Sequence, residues 1–173
     1  MAEIKNREML GERAYKLGFE YEKTYRGCGQ CLVAAVQDAL DIRNDDIFKA
    51  TTGFAGGGGR MGDSGCGAYV GGILVLSFLL GRERDDFADP EGVRFKSYEL
   101  AKRLHDRFID EYGSAVCRGI QMKVMGRPYY INDEDDMDKF DKAGGHTTVC
   151  PEVVGKAARW TVELIKGEKL LPR

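Results

Sequence analysis

A glycine-rich loop that runs straight into an apolar segment, with a cysteine at the junction, limits this chain more than any other feature. The loop reads Gly53-Phe54-Ala55-Gly56-Gly57-Gly58-Gly59-Arg60-Met61-Gly62-Asp63-Ser64-Gly65, and Cys66 follows it, ahead of Gly67 to Leu80. Glycines free the backbone to take positive φ and to approach a neighbour closely. The apolar run Ala68 to Leu80 is too short for a bilayer span, which needs roughly 20 residues. It predicts a buried helix, 66–80, whose glycines and large aliphatics suit a tight helix–helix contact, either within the chain or across a homodimer. A thiol at the mouth of such a helix meets unpartnered N–H groups and the positive end of the dipole, which favours the thiolate.

The remaining pattern is also helical. Met9, Leu10, Ala14 and Leu17 recur at helical spacing over 3–20, with Gly18 weakening the end. After a turn-rich stretch from Tyr25 to Gly29, a second helix is expected over 30–41. Asn44 and Asp45 can cap a short third one carrying Ile47, Phe48 and Ala50. Arg82 to Asp89 reads as a charged linker closed by Pro90. Over 91–112, Tyr98, Ala101, Leu104, Phe108, Ile109 and Tyr112 form an apolar stripe, and Gly113 fits its C-terminal cap. Ser114 can cap a helix with Cys117 in its first turn. Pro128 to Ile131 reads as extended and Asn132 to Asp138 as a solvated acidic turn. Cys150-Pro151 starts a final helix to about Ile165, since proline is well tolerated at the first helical position. With no repeat and no boundary, the expected fold is all-α: a single-domain helical bundle over 1–173, with the glycine-rich loop entering a buried central helix.

Of the five cysteines, this reading puts Cys31, Cys66, Cys117 and Cys150 at the start or cap of a helix. If those four ends converge, they make a sulfur-rich pocket suited to a soft metal or an iron–sulfur cluster. Gly65 and Gly67 are the positions from which backbone amides would approach the cofactor. The same thiols suit a metal-free thiol–disulfide oxidoreductase, or pack as small hydrophobes in a non-enzymatic helical interaction module. Cys28-Gly29-Gln30-Cys31 is a Cys-x-x-Cys that serves as a redox pair or as two ligands; no βαβ pattern surrounds it, and no second close pair completes a zinc site.

These residues carry a resemblance. Cys31 in its helical apolar segment resembles the first cysteine of the family known by the pattern C-GCAxxG-C-C, to which a redox role is attributed. Gly53 to Gly62, then Gly65-Cys66-Gly67-Ala68-Tyr69-Val70-Gly71, looks like the family's central segment, and Cys117 and Cys150-Pro151 look like its last two cysteines. The resemblance covers roughly residues 28–166 and implies a helical fold with a redox-type cysteine core. A similar domain occurs in split-Soret cytochromes, dimeric proteins with haem and an iron–sulfur centre. This chain has no Cys-x-x-Cys-His, so covalent c-type haem is not expected. Gly67 before Ala68 departs by one residue from the literal pattern. Cys28 lies outside it, so Cys31 acts alone, with Cys28, or by exchange with it.

Other classes find little support. A net charge of -2 gives no electrostatic case for nucleic acid or an anionic membrane. Residues 1–20 lack the apolar core of a secretory signal, so a cytoplasmic, reducing location is expected, with an unidentified redox partner. The glycines do not follow a strand, and no Gly-Lys-Ser/Thr ends the loop, so they more simply allow close packing than bind a nucleotide. Asp133 to Asp138 lacks the glycine and terminal glutamate of an EF-hand loop. His146 is either a general acid/base or ligand near Cys150, or a loop histidine without a role. His105 reads as surface or boundary, Trp160 as core, and Tyr129-Tyr130 as packing or pocket wall.

Overall fold

The computed structural model describes residues 2–171, and among these there are eight α-helices and no strand. The helices are α1 (Ala2–Tyr25), α2 (Cys28–Leu40), α3 (Asp45–Ala50), α4 (Gly67–Leu79), α5 (Val93–Tyr112), α6 (Cys117–Met125), α7 (Glu134–Lys142) and α8 (Cys150–Gly167). A 3₁₀ turn, Thr52–Phe54, leads into the glycine loop, and a π turn, Gly145–Val149, leads into α8. The fold is the expected all-α bundle, and its family of buried side chains forms one core. Leu32, Val36, Leu76, Leu104, Phe108, Val154, Val162 and Ile165 lie at its centre.

Helix α1 runs past Gly18 instead of ending there. Gly18 faces α8, where a β-carbon would lie 3.2 Å from the Val154 carbonyl oxygen and 3.3 Å from Ala158 Cβ. From the other side, a β-carbon on Gly155 would meet the Tyr15 carbonyl oxygen at 2.9 Å. The two helices therefore pack almost backbone to backbone, and the burial this permits outweighs glycine's roughly 1 kcal/mol deficit in helix propensity. Arg26 and Gly27 then take positive φ, 60° and 89°, so α2 begins at Cys28, earlier than residue 30.

Several caps match the sequence reading. The Asn44 side chain accepts from Ile47 N at 3.0 Å, and Gly113 closes α5 in the left-handed region. Ser114 acts one step before the helix, accepting from Val116 N, and Cys117 opens α6.

Other expectations are corrected. The acidic stretch is no turn: Asp133 caps α7 by accepting from Asp136 N, and Glu134, Asp135 and Asp136 fill its first turn, where the helix dipole favours negative charge. In α5 the buried line is Ser97, Leu100, Leu104, Phe108 and Tyr112, while Tyr98 points out and stacks edge-on against Phe95. Ile109 also faces out. Only one face of α4 is buried, through Gly67, Ala68, Gly71, Gly72, Val75 and Leu76, and Phe78 is exposed. Trp160 packs edge-on against Phe108, and Tyr129 against Phe140.

Candidate functional site

The site is assembled by helix beginnings. Cys28 is the first residue of α2, Cys66 the N-cap of α4, Cys117 the first residue of α6 and Cys150 the first of α8. All four line one cavity of about 270 Å³. Its walls are otherwise mostly apolar, with Ile120, Ile131, Phe140 and Val154 among them. Native cores hold few voids larger than a water molecule, so a space of this size is built to hold something.

Local backbone structure explains how Cys66 and Cys117 meet. The end of the glycine loop pairs with the segment before α6: Cys66 N donates to Ala115 O at 2.8 Å, Cys117 N to Ser64 O at 3.1 Å and Arg118 N to Gly62 O at 2.8 Å. An isolated antiparallel bridge joins Gly65 to Val116. The loop can fold this tightly because Gly56 to Gly59 and Gly62 all take positive φ. At Gly57 a β-carbon would also strike Cys117 Cβ at 2.7 Å.

Cys28 reaches the cavity through a second glycine. A β-carbon on Gly67 would collide with the Cys28 sulfur and approach Gly29 N at 2.9 Å. Its absence leaves the thiols of Cys28 and Cys66 within hydrogen-bonding reach, with the Gly56 amide also directed at the Cys28 sulfur. Gly65 and Gly67 thus shape the loop and admit Cys28, while the glycines on the cavity wall are Gly27 and Gly56.

Three of the thiols singled out from the sequence, Cys66, Cys117 and Cys150, share the cavity. Cys31 is not on its wall. It lies one turn behind Cys28 on α2, with Sγ 3.1 Å from Arg26 O and within hydrogen-bonding reach of the Glu22 carboxyl. All five cysteines are free thiols.

The helix dipole does not make these thiols acidic. The hydrogen bond with Cys66, then burial, pushes the Cys28 thiol well up. Burial, then the nearby Glu22 carboxylate, raises Cys31; burial pushes Cys117 up to about 12; and burial followed by the charges of Glu22 and Cys28 raises Cys150. A helix terminus contributes about 0.3–1 kcal/mol. Full burial shifts a pKa by up to about 3–5 units, at about 1.4 kcal/mol each. Desolvation wins, and Cys28, Cys117 and Cys150 stand in the cavity as thiols, not thiolates.

Polar residues stand on the wall as well, among them Glu22, His146 and Arg60. Glu22, on the extension of α1 beyond the expected helix, is 2 % exposed, and its Oε2 has no hydrogen-bond partner among the described residues. Burial pushes its carboxyl up to about 7. Sequence reasoning passed over it, although Gly11, Ala14, Gly18 and Glu22 recur at three- and four-residue steps as one buried stripe. His146 is held through Nδ1 by Asp141 Oδ1 at 2.6 Å, and burial pulls its pKa down despite that carboxylate. Arg60 donates to Ile131 O across the cavity edge. The chemistry open to such a set is redox chemistry of sulfur, or ligation of a soft metal group by sulfur.

Among the described residues no helix is long and apolar enough to cross a membrane. No curated protein and no solved structure is significantly similar to the chain. The signature of the family described as "Putative redox-active protein (C_GCAxxG_C_C)" matches residues 27–164, a span that opens at the turn before Cys28 and takes in every cysteine of the cavity, and the chain therefore belongs to that family.

Proposed function

We propose that the protein transfers electrons through an iron–sulfur cluster held by Cys28, Cys66, Cys117 and Cys150. The observation that carries this reading is the arrival of four thiols from four helix starts on one cavity wall. The donors suit the group: thiolate is the ligand for iron–sulfur clusters, and bound iron would favour the ionised form that burial disfavours. Among the described residues no three His, Cys, Asp or Glu side chains stand close enough around one point to hold a single ion.

In this reading the cluster supplies one-electron redox chemistry when bound. The chain's own residues do the rest. Cys28 takes the place expected of Cys31, because α2 starts at Cys28 and turns Cys31 towards Glu22. Gly56 lies on the cavity wall with the thiols, where a backbone amide can tune the potential. Ile120, Ile131, Phe140 and Val154 keep water from the sulfurs. His146, fixed through Nδ1 by Asp141, lines the same cavity.

Anaerobic reconstitution with iron and sulfide tests the reading, followed by the visible spectrum and metal analysis. Bound iron and sulfide with charge-transfer absorption are expected. Serine at 28, 66, 117 or 150 should each lower iron content, and Cys31→Ser should leave it near wild type. A colourless, iron-free protein overturns the proposal.

A further inference from the structure

We infer that Cys28, Cys31 and Glu22 form a peroxide-reactive dithiol site, in which Cys28 is oxidised from the cavity and Cys31 resolves it with Glu22 taking the proton. Three observations carry this. Cys28 faces the cavity, whose edge includes the exposed Arg26 and Arg60, and Cys31 does not face it. Cys28 and Cys31 are three residues apart in the first turn of α2, where helical geometry puts side chains about 5–6 Å apart at Cβ. A disulfide wants roughly 3.5–4.5 Å, and a first turn, with its N–H groups free of internal partners, can yield that distance. Glu22 is the third observation: a buried carboxyl beside Cys31, whose thiol donates to Arg26 O at 3.1 Å, so that Oε2, unpartnered among the described residues, is free to take a proton.

The chemistry balances with hydrogen peroxide as oxidant. The Cys28 sulfur attacks one peroxide oxygen as the O–O bond breaks, its S–H proton passes to the departing oxygen, which leaves as water, and Cys28 becomes a sulfenic acid. The Cys31 thiol passes its proton to Glu22, and its sulfur attacks the Cys28 sulfur. The S–O bond breaks, and the departing hydroxide takes up the proton that Glu22 received, leaving as a second water and restoring the carboxylate. The two thiols have lost two electrons to peroxide and become one disulfide. Cys66 is also near Cys28, but its thiol has Cys28 itself as hydrogen-bond partner and no carboxyl to receive the proton. The unpartnered Glu22 oxygen distinguishes Cys31 as the resolving thiol. The site shares Cys28 with the proposed cluster, so oxidation there would remove one of the four cavity thiols.

The test uses reduced, metal-free protein and hydrogen peroxide, so it succeeds or fails independently of cluster binding. Peptide mapping of the wild type is expected to show a Cys28–Cys31 disulfide. Cys31→Ser should instead trap Cys28 as a sulfenic acid, captured by dimedone. Glu22→Gln should slow disulfide formation on the order of a hundredfold without slowing Cys28 sulfenylation, because it removes a charge that raises the Cys28 thiol, and Glu22→Asp should restore part of the rate. A wild-type disulfide between Cys28 and Cys66, or peroxide-treated protein with Cys28 still reduced, overturns the proposal without any variant. An unchanged rate in Glu22→Gln removes the carboxyl from it.

Discussion

Along its length α8 meets two kinds of neighbour. From Val154 to Glu163 it lies against α1, and Gly11, Gly18 and Gly155 take away the β-carbons that would hold the two helices apart. At Cys150, its first residue, it borders the sulfur-lined cavity. Glycine serves both regions but for different purposes. In the seam it lets one backbone touch another. At Gly67 it admits the Cys28 sulfur, and in the loop before α4 it permits the positive φ that carries Cys66 towards Cys117. The seam converts close approach into stability; the cavity holds open space, a buried carboxyl and four thiols, of which burial disfavours the ionised form at Cys28, Cys117 and Cys150.

The largest expected effect is in the seam. Gly155→Val would press a branched side chain on the Tyr15 carbonyl, which cannot swing away as a side chain can, and should cost about 3 kcal/mol in urea unfolding. The folded fraction should keep its cavity thiols as accessible as before. A loss below about 1 kcal/mol would mean the seam yields, and the contrast with the cavity would disappear.

Glu22 probes the other region through pH. Its carboxyl is raised from 4.5 to about 7 by burial, so the folded state favours the protonated form. Stability is whole below pH 4.5 and declines as pH rises through 7. Glu22→Gln removes that titration. Its stability relative to wild type should rise by about 2–3 kcal/mol between about pH 5 and pH 8, read as parallel denaturation curves. A difference that does not vary with pH would show that Glu22 is solvated and the cavity is wet.

Gly67→Ala should cost somewhat less, about 2 kcal/mol, because it adds a single methyl, although that methyl would meet Gly29 N at 2.9 Å and Phe54 O at 3.0 Å as well as the movable Cys28 sulfur. Its effect is local: Cys28 and Cys66 separate, and Cys28 should react faster with a thiol reagent than in wild type. The smallest change belongs outside both regions. Asn44→Ala removes the α3 cap and should cost about 1 kcal/mol by thermal unfolding, with thiol reactivity unchanged. If that variant alters Cys28, the cavity is coupled to α3 through Gln30, which donates to Phe48 O, and the two regions are not independent.

What could be read in advance, and what could not, follows one chain of cause. Helix starts at Cys66, Cys117 and Cys150 were legible because capping and turn residues act within a few positions of themselves. The start of α2 was not. Gly27 and Gly29 both read as breakers, and only the packed structure puts the turn at Arg26 and Gly27 and leaves Gly29 inside the helix, against Thr51. That shift turned Cys28 into the cavity and Cys31 away from it. Glu22 was missed for a related reason: it faces the cavity only because α1 continues past Gly18, and α1 continues only because α8 lies against that glycine. In α5 the period was plain, but Tyr98 and Ile109 fit it as well as Ser97 and Leu100 until a neighbour selected the inward face.

The amino-acid order alone thus determined the helical class, most of the helix ends, the family and the candidate thiols, since each depends on propensity, capping or spacing over short stretches. The tertiary structure decided which sulfurs share a cavity, that burial overrides the helix dipole in setting their protonation, and that a carboxyl joins them. Those outcomes depend on desolvation and close approach between segments far apart in the chain, and no local pattern encodes how deeply a side chain will be buried or which neighbour will face it.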